Sequence, residues 1–283
     1  MAEPHLFIFG MGYTAQYLAA ALLDKGWHIS GTTRSGGTIG EGRHGAGFSA
    51  TPFADRETVL AQIAQATHIL SSVPPDRDTG TDPVLDNYGE AIASAGTEKW
   101  IGYISATGVY GDVQGAWVDE TAPIGSGRRT ARAAADLAWQ GLRDDVRVFR
   151  LPGIYGPGRS ILDRLRSGSA RSIDKPGQVF SRCHVADIVS GIIAGFNGPP
   201  GVYNLADDLP CAQHLVTNFG AQMLGIDPPP LQKMEDANLS PMARKFYSEN
   251  RRVANGKAKR VLGWAPLYPT YKHGLRAIWE AEA

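Results

Sequence analysis

The residues best placed to do chemistry stand near the start of the chain. Phe9-Gly10-Met11-Gly12-Tyr13-Thr14-Ala15 sets two glycines and an alanine at the spacing Gly-x-Gly-x-x-Ala. The apolar run Leu6–Phe9 precedes them and the amphipathic stretch Thr14–Lys25 follows. In such a turn Gly10 allows a tight exit from a strand. Gly12 lets a ligand approach the backbone, and Ala15 lets the helix lie close to the sheet. The N–H groups of Gly12, Tyr13 and Thr14 then face an anion at the positive end of the helix. A turn of purely structural purpose is the competing reading. Its position inside a β-α-β unit favours a dinucleotide pyrophosphate.

The second strand ends Gly31-Thr32-Thr33-Arg34-Ser35, with no carboxylate. A carboxylate there binds the ribose 2′-hydroxyl of NAD and repels the 2′-phosphate of NADP, whereas an arginine pairs with that phosphate through two N–H groups. Arg34, with hydroxyl contacts from Thr33 and Ser35, therefore favours NADP(H), with NAD(H) as second choice. A solvated loop arginine is the alternative. Ser71-Ser72-Val73-Pro74 ends a later strand on the sheet edge where cofactors lie. Ser71 and Ser72 are read as cofactor contacts, or else as an ordinary turn.

The elements that must hold these residues alternate through the first half, which indicates an α/β sheet protein. Strands are expected over Leu6–Phe9, Trp27–Thr33, Gly47–Ala50, His68–Val73, Trp100–Ser105 and Arg147–Leu151. Helices are expected over Thr14–Lys25, Arg56–Gln65, Pro83–Ala95 and Arg128–Arg143. The glycine-dense stretch Ser35–Gly47 reads as a mobile loop. The second half is less regular, with helices expected over Ile161–Ser167, Val185–Phe196, Gln213–Leu224 and Tyr271–Ala281, and a strand over Val202–Leu205.

Composition narrows the function classes. The 283 residues, 43% hydrophobic, suffice for one large core with a smaller lobe. Charge is balanced at 28 basic and 28 acidic residues, which argues against a nucleic-acid or anionic-membrane partner. No run approaches the about 20 apolar residues of a membrane span. The first residues do not read as a signal peptide, and a cytoplasmic protein is expected. Cys183 and Cys211 read as buried thiols. The seven histidines lack metal-ligand spacing, so no metal site is expected.

Four further segments follow the turn in order: Tyr103-Ile104-Ser105-Ala106-Thr107-Gly108-Val109-Tyr110-Gly111-Asp112, Arg150-Leu151-Pro152-Gly153-Ile154-Tyr155-Gly156-Pro157-Gly158, Arg182-Cys183-His184-Val185-Ala186-Asp187-Ile188 and Val202-Tyr203-Asn204-Leu205. Together the five resemble the extended short-chain dehydrogenase/reductase superfamily, in its NAD(P)-dependent epimerase/dehydratase group. The resemblance implies a doubly wound parallel sheet of the NAD(P)-binding Rossmann type with a small C-terminal substrate lobe. The lobes would be interleaved: residues 1–155 rejoined by about 182–206 as the dinucleotide-binding domain, and about 156–181 with 207–283 as the substrate lobe.

In that superfamily a tyrosine is the acid/base, a lysine four residues later lowers its pKa and holds the nicotinamide ribose, and a serine or threonine orients the substrate. Here those positions carry Arg128, Arg132 and Ala106, which marks an atypical branch. Arginine keeps its proton near neutral pH, so Arg128 cannot replace the tyrosine. Arg132 can still hold the ribose. Thr107, Tyr110 and Tyr155 are the nearby hydroxyls; Thr107 and Tyr110, with Arg132, are the candidate catalytic set, although an aromatic such as Tyr110 is more often packed.

Arg128, Tyr155, Arg159 and Arg182 are the candidate substrate contacts. For each arginine, a solvated charge or an ordinary salt bridge is the alternative. His184 reads as a structural hydrogen-bonding residue, and Asp187 as an anchor of its own helix. Two functions follow. One is an NADP(H)-dependent oxidoreductase-type enzyme acting on a small molecule, nucleotide- and sugar-linked ones included. The other is a non-catalytic NADP(H)-binding sensor or regulatory protein. A small-molecule substrate is the expected partner, and a homodimer the candidate self-association.

Overall fold

The computed structural model describes residues 3–39, 48–128 and 130–282. In chain order the elements are β1 (His5–Phe9), α1 (Tyr13–Leu23), β2 (His28–Thr33), β3 (Gly37–Ile39), β4 (Phe48–Pro52), α2 (Arg56–Gln65), β5 (His68–Ser71), α3 (Pro83–Ala93), β6 (Trp100–Ala106), a 3-10 turn (Thr107–Tyr110), β7 (Trp117–Val118), α4 (Thr130–Leu142) and β8 (Val146–Leu151). There follow β9 (Gly153–Tyr155), α5 (Ile161–Arg166), β10 (Ser172–Asp174), β11 (Arg182–His184), α6 (Val185–Ala194), β12 (Gly201–Asn204), α7 (Gln213–Leu224), β13 (Leu231–Lys233), α8 (Pro241–Phe246), β14 (Arg252–Val253), α9 (Gly256–Leu262) and α10 (Tyr271–Glu282). Two compact units result. The first comprises Met1–Ala106, Arg129–Arg150 and Ile192–Tyr203, the second Thr107–Arg128, Leu151–Gly191 and Asn204–Ala283.

The first unit holds an eight-stranded sheet in the order β12-β8-β6-β5-β1-β2-β4-β3. Strand β1 pairs in parallel with β2 on one side and β5 on the other, in the registers His5↔His28 and Leu6↔His68. Every residue of β1 is buried, as befits a strand covered on both faces. The order of succession reverses between β1 and β5. In a doubly wound sheet that switch point is where the carboxyl ends of the strands open a crevice for ligands. One face is sealed by a core including Phe7, Phe9, Ile69, Ile101, Tyr103, Trp139 and Val148. This is the α/β architecture that the alternation of elements implied, with the mostly parallel, doubly wound sheet that the resemblance implied.

One expectation is overturned in part. The stretch Ser35–Gly47 was read as a mobile loop, yet Gly37–Ile39 forms β3, antiparallel to β4 in the register Thr38↔Ser49. Pairing satisfies backbone groups that a loop would leave to water. The rest of that stretch, residues 40–47, lies outside the described residues, as does the Gly47 end of the expected Gly47–Ala50 strand.

The second unit is built from short pieces: β9 pairs in parallel with β11 (His184↔Tyr155), β10 with β13, and β7 with β14. Helices α5, α7 and α10 enclose a core of Tyr155, Ile161, Leu162, Leu165, Val216, Ala221, Tyr271, Leu275 and Ile278. A reciprocal capping box, Ser160 with Asp163, starts α5. No helix among the described residues is long and apolar enough to cross a membrane.

Candidate functional site

The turn between β1 and α1 stands at the switch point. Gly10 has φ +81°, and a Cβ there would lie 2.8 Å from Val73 Cγ2, so both conformation and space require glycine. Its N–H donates to Thr32 Oγ1 at 3.2 Å, and its carbonyl accepts from the Ser72 hydroxyl. The Met11 N–H donates to the Thr32 carbonyl at 2.9 Å. The turn is thus held from β2 and from the end of β5. Gly31 completes this packing, because a Cβ on it would meet the Ile8 carbonyl oxygen at 2.5 Å and Met11 Sδ at 2.7 Å.

Gly12 is different. It is exposed, and a Cβ on it would meet nothing within 4 Å. It is the N-cap of α1 but supplies no side-chain hydrogen bond, and the first turn of α1 contains no acid. By contrast, Asp55 caps α2 by accepting from Thr58, and Asp82 caps α3 by accepting from Val84 and Leu85. The first turn of α1 therefore presents backbone donors and the positive helix end beside open space. This corrects the expectation that the Gly12 N–H faces an anion: it is turned inward, donating to the Gly10 carbonyl at 2.9 Å. Tyr13 and Thr14 open the helix, while Thr14 and Ala15 are buried against the unit. An open approach at Gly12 under an uncapped helix terminus fits a dinucleotide pyrophosphate.

At the end of β2, Thr33 donates to the Gly36 carbonyl at 3.3 Å, and Arg34 and Ser35 are exposed. Arg34 makes no hydrogen bond or ion pair with another described residue, which suits it to an external anion. Ser71 closes β5, fully buried, with its hydroxyl lacking a partner among the described residues. Its register partners are Phe9 and Tyr103. The neighbouring Ser72 uses its hydroxyl to hold Gly10.

The positions of the acid/base machinery are occupied otherwise. Arg132, in α4, donates from Nη1 to the Tyr103 hydroxyl at 3.0 Å and to the Ile104 carbonyl at 3.4 Å. Tyr103 is fully buried and stacks on Trp139 at 5.1 Å, and burial pushes its phenol far up. Trp139 in turn donates to Asp82 at 2.9 Å. One turn further along α4, the buried Asp136 accepts from Arg150 through two bonds, at 2.7 and 3.0 Å, and from Ser105 at 2.5 Å.

Arg128 precedes α4 rather than lying on it. Its backbone N–H donates to Glu249 at 2.9 Å, and its guanidinium lies 3.6 Å from the same carboxylate, which also pairs with Arg251 at 3.0 Å. Thr107 and Tyr110, at the two ends of the 3-10 turn, are buried. The Tyr110 hydroxyl donates to Asn204 Oδ1 at 2.8 Å, and the Asn204 N–H donates to the Glu120 carboxylate at 2.7 Å.

The remaining candidates lie in the second unit. Tyr155 is buried, edge-on to His184 at 5.2 Å, and burial pushes its phenol far up. Arg182 is buried and spends its guanidinium on Phe180 O, Cys211 and Gln213. Arg159 is exposed. His184 accepts from the Ala186 N–H at 3.2 Å, and burial lowers its pKa to about 4. Asp187 was expected to anchor its own helix; it accepts instead from the N–H groups of Leu267 and Tyr268, some 80 residues on. Among the described residues no group of His, Cys, Asp and Glu is arranged to hold a metal ion.

Reasoning from sequence missed Thr32, Gly31, Tyr103 and Glu249. Strand alternation along β2 was the available signal for Thr32; the others act across 23 to 121 residues.

Fold and turn define the class: the chain has the doubly wound Rossmann-type fold found in NAD(P)-dependent epimerases and dehydratases. Solved structures sharing it include dTDP-glucose 4,6-dehydratase from Bacillus anthracis in complex with NAD (16% identity, TM-score 0.74, covering 98% of this chain and 97% of that one). Human epimerase family protein SDR39U1 (isoform2) with NADPH is another (16%, TM-score 0.75, 98% and 99%). More specifically, the chain belongs to the family of a functionally unknown conserved protein from Silicibacter pomeroyi DSS, with which it shares 41% identity and a TM-score of 0.87 over 99% of this chain and 100% of that one.

More distant relatives are Protein YeeZ of Escherichia coli (strain K12), 26% identical over 81% of this chain and 87% of that protein, and the 3-diazoavenalumate denitrifying reductase of a Streptomyces species, 26% identical over 93% and 96%. No family model matches the chain.

Proposed function

We propose that this chain binds NADP(H) at the Gly10–Ala15 turn and is an NADP(H)-dependent oxidoreductase-type enzyme acting on a small molecule, nucleotide- and sugar-linked ones included. The observation that carries the reading is the uncapped, acid-free start of α1 beside the open approach at Gly12. Gly10, Gly12, Tyr13, Thr14 and Ala15 form the pyrophosphate cradle. Arg34, flanked by Thr33 and Ser35, takes the 2′-phosphate, and Ser71, Ser72 and Arg132 are further cofactor contacts. Residues 1–155 with about 182–206 serve as the dinucleotide-binding domain, and about 156–181 with 207–283 as the substrate lobe, with Arg128, Tyr155, Arg159 and Arg182 as its candidate contacts. The relatives that support an enzyme are a reductase and an epimerase-family protein solved with NADPH.

A bound nicotinamide supplies the hydride; this chain must supply position and a proton. Of the candidate catalytic residues, Thr107 is the hydroxyl with no committed partner among the described residues, whereas Tyr110 already gives its proton to Asn204. That commitment, with Arg128 on Glu249 and Arg132 on Tyr103, favours a second reading: a sensor that binds NADP(H) without turnover.

Adding NADPH to the full chain is expected to raise its melting temperature and quench tryptophan fluorescence. If neither NADPH nor NADH does so, both readings fall. Substrate-dependent NADPH oxidation that disappears in Gly12→Glu selects the enzyme over the sensor.

A further inference from the structure

We propose that the second unit carries a small-molecule site of its own, a cavity of about 400 Å3 between α7 and α10 that takes a small apolar carboxylate. Helix α7 has two working faces. Val216, Thr217, Gly220 and Ala221 are buried in the unit's core. Leu215, Asn218, Phe219 and Gln222, spaced i, i+3, i+4 and i+7, form a separate stripe that lines the cavity. Leu215 is 46% exposed there. Leu209, Cys211 and the first residues of α10, Tyr271 and Lys272, complete the lining. The volume falls in the range of small-ligand pockets.

The lining sets the chemistry of the occupant. Leucines and aromatic rings supply an apolar wall, the amides of Asn218 and Gln222 supply hydrogen-bonding groups, and Lys272 is the one charge. No carboxylate lines the cavity. Lys272 Nζ stands 5.8 Å from the centre of the Phe219 ring, and Arg276 Cζ stands 5.6 Å from the same centre. Neither cation forms an ion pair with a described residue. At the floor, the buried Arg182 donates to Cys211 Sγ at 3.3 Å.

A cationic ligand would meet Lys272 and Arg276 without an acid to receive it. A wholly apolar one would strip water from Lys272 and both amides without replacing their hydrogen bonds. An acid with an apolar body satisfies both halves, its carboxylate on Lys272 and its body against Leu215 and Phe219. The site shares no residue with the nucleotide turn, so it stands or falls apart from cofactor binding.

The two cysteines make the test direct. Cys183 is fully buried, whereas Cys211 retains 8% exposure and lines the cavity. Saturation-transfer NMR on the full chain with phenylbutyrate, and with its uncharged amide, reads binding. Alkylation of Cys211 by iodoacetamide, followed by intact mass, reads location. The acid is expected to show transfer and to slow alkylation of Cys211. The amide is expected to bind about tenfold more weakly, the loss of one charge-assisted contact. Lys272→Gln should erase that preference. Leu215→Glu should abolish transfer from both probes while leaving NADPH binding and the melting temperature intact. No transfer to the acid, equal binding of acid and amide, or a preference that survives Lys272→Gln overturns the proposal.

Discussion

Two helices of the first unit, α1 and α4, use their polar groups in opposite ways. The head of α1 has no side-chain cap and no acid, and Gly12 opens onto empty space. Around α4 the polar side chains are bound to one another: Arg132 to Tyr103, Asp136 to Arg150 and Ser105, Trp139 to Asp82. An uncapped helix start leaves room for an external anion, whereas a closed network holds a shape. The proposed cofactor site therefore lies at α1. Along α4 the bonds of Arg132, Asp136 and Trp139 tie the helix to β6, β8 and the start of α3.

Breaking the closed network should produce the largest effect on stability. Asp136→Asn leaves the buried Arg150 without its carboxylate, a loss of about 3–5 kcal/mol. Denaturant unfolding of the variant measures it. Gly12→Glu probes the open side: its Cβ enters free space, so the fold should stand while a carboxylate occupies the anion's place. NADPH affinity should fall about 100-fold, or about 2.7 kcal/mol, with an unchanged denaturation midpoint. Arg34→Ala should weaken NADPH about tenfold or more, the value of a charge-assisted contact, and leave NADH unaffected. Tyr110→Phe is the mildest of these substitutions. It should cost about 1 kcal/mol through the lost bond to Asn204, and leave cofactor affinity alone.

Buried histidines and buried aspartates respond oppositely to pH. In the first, burial lowers His5, His68 and His184 from 6.5 to about 4. The unfolded chain then takes up protons first, so their stabilisation is present above about pH 6.5 and is lost as the pH falls towards 4. In the second, burial raises Asp207 from 3.8 to about 7 and Asp187 to about 6. Their folded form keeps the proton, so that stabilisation is full below 3.8 and is lost as the pH rises through 6 and 7. Melting temperatures followed from pH 4 to 8 should fall at both ends. Asp207→Asn should flatten the alkaline side and leave the acid side unchanged.

The first unit was legible, the three-residue β3 aside, because its strands run to four to seven residues and its main helices carry clear faces and stops. Asp82-Pro83, for instance, announces the start of α3. In the second unit helices α5, α6, α7 and α10 were legible as well, but its strands were not, since β7 and β14 are two residues long and β9, β10, β11 and β13 three, too short for any period. Helix α9 opens on Gly256 and went unread for the same reason. The nucleotide turn could be read because its parts are neighbours in sequence. Glu249, which captures Arg128, stands 121 residues away, and Tyr103 stands 29 residues before Arg132. Such pairings arise from the fold and leave no local mark.

Isothermal titration of the native chain and of Arg34→Ala with NADPH and NADH tests the central claim most directly. The account predicts that the native chain binds NADPH more tightly than NADH and that Arg34→Ala brings the two affinities together. A native chain that binds neither cofactor, or binds both equally, contradicts it.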